Sequence, residues 1–342
     1  MHKIIVTAAA LCLVGGSVLF AGDKQPAWVL NPRSVYSDAQ YVSAVGSGAS
    51  REAAEKKAVS ELVAVFGQSV KGETAISSRY SEAVKNGVVV ASDDTSVNEA
   101  VSTSVSFDTI VGAEIKDVWF DGKKTTWAVA VMDKAKAGIL YAGLIDKDEA
   151  AIAKLTDIPE ADRASFDAYS RFDLAAAIAD ADATFLNILS VVSPGTAATK
   201  RESVKSADAL RLECVKIAQS LPIALIIDGD RDARVRSAFA SSFSDAGFKT
   251  VDHGARYALT AKITLSEAKL ADNPNKFVRY VLEANLTDMK TGAVILPFSA
   301  NGREGHATVA EAENRAYRAA EKKIREDFLK AFRGYLTQLS SK

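Results

Sequence analysis

Asp228, Asp230 and Asp232 have the most suggestive spacing for chemistry in the chain. Carboxylates at the first, third and fifth positions begin a calcium loop of the EF-hand kind, which must close on a bidentate Glu at the twelfth. Phe239 stands there instead, so the ligand set is incomplete. A strand end followed by acidic residues at a helix start gives the same spelling, because carboxylates are favoured at the positive end of the helix dipole. The triplet is therefore expected to be structural, with no metal bound.

Gly46-Ser47-Gly48 places a hydroxyl between glycines after an apolar alternation. A hydrolase elbow needs a different glycine spacing and a His partner, and beyond the first residues only His253 and His306 are present. A dinucleotide fingerprint fails as well, because Arg51 occupies the place of its third glycine. The expected role of the turn is to let the chain reverse into a helix. His253 and His306 lie far in sequence from Cys214 and from any paired carboxylate motif, which argues against zinc. Cys214 falls on an apolar stripe with Val204, Ala207, Leu210 and Ile217, so it is expected to be a buried, unreactive thiol. No catalytic, cofactor-binding or metal-ligating residue is assigned, and no cofactor is expected.

The elements that would carry these residues fall into three regions. The chain has 342 residues, 48% hydrophobic and 25% charged, which suits two compact domains or one with a helical insertion. Lys plus Arg number 42 against 43 acidic residues. That balance gives no electrostatic reason to bind nucleic acid.

Lys3 followed by the uncharged run Ile4 to Phe20 has the layout of a signal peptide, residues 1–21, too short to span a bilayer as a helix. The alternative is an uncleaved amino-terminal anchor. Cys12, preceded by bulky Leu11, does not fit a lipid-attachment site, which leaves Cys214 as the sole thiol of the processed chain.

Residues 23–146 read as a first α+β domain. A strand from Gln40 to Val45 leads into a helix from Ser50 with Ala54, Ala58 and Leu62 on one face. Strands Ile110 to Phe120 and Thr125 to Val131 flank the hairpin signal Asp121-Gly122, and Lys134 to Leu155 reads as a helix. The polar stretch Thr74 to Asn98 is unassigned apart from helix near Tyr80 to Lys85. Residues 157–221 read as a helical hairpin connector turning at Pro194-Gly195, with the Phe166, Tyr169, Phe172, Ala176 stripe before the turn. Residues 222–342 read as a second α+β domain. Ile223 to Ile227 looks like a strand buried on both faces, and Asp232 to Ala246 like a helix stopped by Gly247. Strands Tyr257 to Leu265, Tyr280 to Thr287 and Ala293 to Phe298 follow. A closing helix puts Val309, Ala312, Ala316, Ala320, Ile324 and Phe328 inward. Ser50, Ala54, Glu55, Lys57 and Ala58 repeat at identical spacing as Thr308, Ala312, Glu313, Arg315 and Ala316. The expected fold class is α+β, two small sheet-plus-helix domains joined by the helical hairpin.

Pro26-Ala27-Trp28-Val29, Tyr41 to Gly48, the Ala-rich helix from Ser50 to Val65 and the strand Trp127 to Lys134 resemble the twenty-kilodalton bacterial surface-lipoprotein family. The last region, through its strand and helix order and Leu286 to Gly292, is similar to TolB amino-terminal-like and FlgT-like envelope domains. These resemblances imply a non-catalytic periplasmic or outer-membrane-associated protein. It would serve as a structural or assembly module through contacts with other envelope proteins, in a flagellar or envelope ring or in cell-wall synthesis. Peripheral association with membrane or peptidoglycan stays open, as does a second reading as a periplasmic small-ligand carrier or sensor.

Overall fold

A computed structural model describes residues 24–66, 74–90, 110–269 and 273–340. The signal-peptide assignment and Cys12 lie outside the described residues. The chain has both helices and sheets, an α+β fold, and its described residues separate into two units. One is built from residues 24–65 and 113–133; the other from residue 66, 74–90, 110–112 and everything described after 133. The division thus interleaves the chain and does not follow the bounds 23–146, 157–221 and 222–342: Lys134 onward packs with the second unit.

The first unit comprises α1 (Ala27–Leu30), β1 (Tyr41–Gly48), α2 (Arg51–Val65), β2 (Ala113–Phe120) and β3 (Thr126–Asp133). The sheet is antiparallel in the order β1-β3-β2, which makes β3 the centre. Successive side chains of a strand point to opposite faces, and β3 is buried on both. Ala128, Ala130 and Met132 are on the same side as the α2 residues Ala54, Ala58 and Leu62, all at 0% exposure. Val129 and Val131 join Trp28 and Val29 on the other side, with Tyr41, Trp119 and Trp127 packed around them. The turn from β2 to β3 takes the expected form. Gly122 has a φ of +74°, and the Asp121 carboxylate accepts the N–H groups of Lys123, Lys124 and Thr125 at 2.8, 2.9 and 3.0 Å. Those bonds hold its carboxyl below the usual range.

Gly46 differs from expectation. It lies inside β1, opposite Ala128, and does not form a turn. A Cβ there would sit 2.1 Å from the Ala58 backbone nitrogen. The glycine is needed because α2 approaches the strand backbone to backbone.

In the second unit, α3 (Thr74–Lys85), α4 (Lys134–Thr156), α5 (Glu160–Arg163), α6 (Phe166–Val192), α7 (Pro194–Ser203) and α8 (Ala207–Ser220) form a helical layer. Pro194-Gly195 does not make the expected turn. Proline is tolerated at the first helical position because its missing N–H would be unpaired there anyway, and α7 begins on it. Nor is the 157–221 segment a connector. Sixteen of the 27 residues of α6 are buried, so this helix is a core. It is the one described helix long and apolar enough to cross a membrane, and its apolar stretch is mostly buried inside the protein.

The rest of the unit is a five-stranded sheet with α9 (Arg234–Asp245), α10 (Val309–Lys323) and α11 (Leu329–Leu339). The strands are β4 (Ile223–Asp228), β5 (Thr250–Val251), β6 (Tyr257–Ala268), β7 (Lys276–Asp288) and β8 (Ala293–His306), in the order β5-β4-β6-β7-β8. On β7, Val278, Tyr280, Leu282, Ala284 and Leu286 are buried while Arg279, Val281, Glu283 and Asn285 are exposed. Such alternation marks a sheet with one face on the core and one in water. Ile226 lies in register with Thr260, itself opposite Asn285, on the open face. It is 53% exposed, which corrects the expectation that Ile223 to Ile227 is buried on both faces. Ala312, Ala316 and Ala320 are at 0% exposure, as the alanine stripe predicts.

Candidate functional site

The acidic triplet and Cys214 are placed in the fold rather than in a shared site. Asp230 accepts the backbone N–H groups of Val235 at 3.1 Å and Arg236 at 2.9 Å, at the start of α9. Asp228 pairs with Lys262 at 3.3 Å on the open sheet face. Asp232 and Ala233 adopt left-handed backbone, with φ of +55° and +53°, so α9 begins two residues later than expected, at Arg234. Among the described residues no group of three or more His, Cys, Asp and Glu is arranged to hold a metal. Cys214 is 7% exposed, and burial pushes its thiol up to about 12, with the Asp173 charge adding to the shift. A thiol so shifted is a poor nucleophile at neutral pH.

A cleft of about 310 Å³ lies where the α4–α6 connection meets the β6 start and the end of α11. Its charged groups are spent on tying these segments together. Arg256 donates to the Ala164 carbonyl at 2.6 Å and to Asp288 at 3.3 Å. Arg171 donates to the Lys154 and Asp157 carbonyls at 2.8 and 3.3 Å. Asp162 pairs with Lys290 at 3.6 Å. The floor is aromatic: the Phe166 and Tyr257 rings stack with centroids 3.9 Å apart. The cleft is a seam bordered by its own ion pairs.

Two features escaped sequence reasoning. The first is the open face of the five-stranded sheet, where Ile226 and Val281 are exposed and Arg279 stands directly opposite Arg303. It ends on β8, a 14-residue strand at the sheet edge. Alternation along β7 was the available signal. The second lies in the helical layer. Asp148 of α4 and Asp182 of α6 are both at 0% exposure, and the Tyr80 hydroxyl of α3 donates to Asp148 Oδ2 at 2.7 Å. Burial raises both carboxyls, Asp148 to about 7 and Asp182 further, where the Asp148 charge adds to the effect. In sequence, Lys147-Asp148-Glu149 reads as a solvated helix face, so nothing local announced the cluster.

Residues 26–133 match the model of the LPP20 lipoprotein family. The matched segment contains the described residues of the first unit from Pro26 onward and stops before the later region, to which it lends no TolB-like or FlgT-like identity. No curated protein matches the chain. Among solved structures, a secreted protein from Helicobacter pylori is similar at 15% identity and a TM-score of 0.42, covering 83% of this chain and 97% of that one. A putative lipoprotein from Caulobacter crescentus has 15% identity and a TM-score of 0.25, covering 33% and 90%. A minor lipoprotein from Acinetobacter baumannii has 13% identity and a TM-score of 0.25, covering 35% and 90%.

Proposed function

We propose that the chain is an exported, non-catalytic protein of the bacterial envelope that acts as an assembly module through protein contacts. The family match over residues 26–133 supports the envelope assignment. The observation that carries the contact role is the uncovered face of the five-stranded sheet, ending on the edge strand β8. A long edge strand exposes backbone donors and acceptors that another chain can pair with. Here Pro297 and Arg303 on β8 interrupt indiscriminate pairing and leave room for a partner of matching shape and charge. Directly opposed like charges cost stability in a sheet, so the Arg279–Arg303 pair favours an acidic partner surface. Peripheral attachment to the envelope follows from such contacts, without a lipid on Cys12.

The test is photo-crosslinking in cells with a reactive residue at Val281, Asn301 or, as a covered control of similar size to the residue replaced, Tyr280. Adducts with an envelope protein from the first two positions and none from the third are expected. Absence of adducts from every open-face position, with the chain present in the envelope fraction, would remove the contact role. Amino-terminal sequencing should place the start of the processed chain near Gly22. An intact Met1 would refute export by a cleaved signal.

A further inference from the structure

The two buried carboxyls carry a second inference, independent of any partner. Neither oxygen of Asp182 and only one oxygen of Asp148 has a hydrogen-bond partner when both groups are ionised. Two carboxyls facing each other away from water hydrogen-bond only if a proton lies between them, and like charges so placed cannot both persist. Among the described residues, no hydrogen bond or ion pair brings a positive charge to either carboxyl. Tyr80 faces the pair from α3, and its ring meets Phe185 of α6 edge to face at 5.9 Å. Phe185 in turn packs against Tyr141 of α4, whose hydroxyl is committed to the Val111 carbonyl at 2.8 Å. Glu149 and Asp146, both on α4, add negative charge. Glu149 accepts the Lys205 backbone N–H after α7 at 2.8 Å, and Asp146 is paired with Lys200 of α7. On α6, Asp180 is taken by Arg211 of α8.

Helix α3 is tied to the pair through Tyr80. Its Tyr80, Ser81, Ala83 and Val84 are buried. Arg79 also anchors it, pairing with Asp173 of α6 and donating to the Ser340 hydroxyl at 3.3 Å. The Arg79–Asp173 pair is half-buried and holds α3 beside Tyr80. We propose that α3 is a proton-controlled latch: it stays docked through Tyr80 while Asp148 and Asp182 share a proton, and it is released when that proton leaves. The ligand of this site is the proton itself, and the reading suits a protein whose compartment follows the pH outside the cell.

An acid raised by burial in the docked state reverts towards its ordinary value once water reaches it. The docked state therefore holds more protons, and docking weakens as pH rises. With the docked Asp148 near 7 and Asp182 raised further, and both near their ordinary values once released, opening of α3 should increase by at least roughly 30-fold between about pH 5.5 and about pH 8.5.

Hydrogen exchange of the full processed chain at those two pH values, with labelling times scaled for intrinsic chemistry, tests this. Amides of residues 80–86 should lose protection by that factor at the higher pH while those of β6 and β7 keep theirs. In Asp148→Asn, which retains an acceptor for Tyr80, and in Asp182→Asn, whose amide can donate to Asp148 without a shared proton, one buried carboxyl remains and the pH response should be smaller than in the parent. Equal protection of α3 in the parent, an equal loss in β6 and β7, or an undiminished pH response in either folded variant would each overturn the latch. The parent measurement alone decides if the variants do not fold.

Discussion

Cys214 and Trp28 show how single residues are held. The Cys214 sulfur lies 3.9 Å from the Tyr169 carbonyl, a reach that suits a weak, long S–H donor. A serine oxygen sits closer to its own Cβ and would miss that acceptor. Cys214→Ser should therefore lower stability by about 1–3 kcal/mol, the cost of burying an unpaired hydroxyl; denaturant midpoints measure it. Thiol reagent at neutral pH should label the native parent at least about tenfold more slowly than the unfolded chain, since the thiolate is both scarce and covered. Trp28 donates its indole N–H to Asp117 at 2.9 Å, between the first turn of α1 and β2. Trp28→Phe keeps most of the ring burial but leaves that carboxylate without its donor, at an expected cost of about 1–3 kcal/mol. Equal denaturation midpoints for parent and variant would mean water replaces the indole at no cost. The Cys214 stripe was legible in sequence because Leu210, Cys214 and Ile217 keep helical spacing, and all three are buried. The Trp28–Asp117 bond was not, since its partners lie 89 residues apart.

Among elements, the closing helix shows what a pattern reveals and what it hides. Ala312, Ala316, Ala320, Ile324, Phe328, Phe332 and Leu336 are all buried at four-residue intervals. An α-helix turns once every 3.6 residues, so each such step overshoots by about 40° and the stripe should spiral out into water. A π turn at Ile324–Phe328 offsets part of this drift. Its i→i+5 bonds widen the helix and reduce the rotation per residue, which brings the stripe back towards the core. The inward residues were readable from spacing; the π turn was implied by the strict period and went unread. Both Ala-rich helices keep the shared spelling and its meaning. Ser50 accepts the Ala53 N–H at 3.2 Å and Thr308 the Glu311 N–H at 3.3 Å, as N-caps do. Close packing makes such helices intolerant. Ala316→Phe places a ring where exposure is already 0%, and overpacking of a filled core costs about 1–3 kcal/mol or more. Gly46→Ala is the stricter test in the first unit, because the added carbon meets backbone that cannot rotate away. It should lower the denaturation midpoint, and a midpoint equal to that of the parent would show that α2 can slide.

For the whole molecule, pH and the place of α6 set the expectations. Asp148, Asp173 and Asp182 are all raised, chiefly by burial. The native state thus binds protons that the unfolded chain has already lost, and stability falls as pH climbs from about 4 towards neutrality. The exposed Asp121 and Glu311 are shifted the other way, and solvent screening keeps their opposing effect small. Denaturant midpoints should be higher near pH 5.5 than near pH 8.

The connector reading of residues 157–221 implied that removing them would leave the later domain folded. Burial argues otherwise. Phe166 stacks on Tyr257 of β6 and meets Phe248 and Phe332 edge to face at 5.2 and 5.5 Å. The Ser170 hydroxyl donates to the Leu336 carbonyl of α11. Sequence could not show this, because the apolar residues of α6 read as one stripe of a two-helix hairpin, whereas Leu174, Ala175, Ala176, Ala177 and Ile178 are buried in succession. A helix apolar all round needs cover on every side. Replacing residues 166–192 with a flexible linker would expose the partners of all sixteen buried positions. The loss far exceeds the marginal stability of a domain, about 5–15 kcal/mol. The expected result is no cooperative transition for the second unit and loss of its aromatic near-ultraviolet signal. A cooperative transition that survives the replacement would return α6 to the role of a connector.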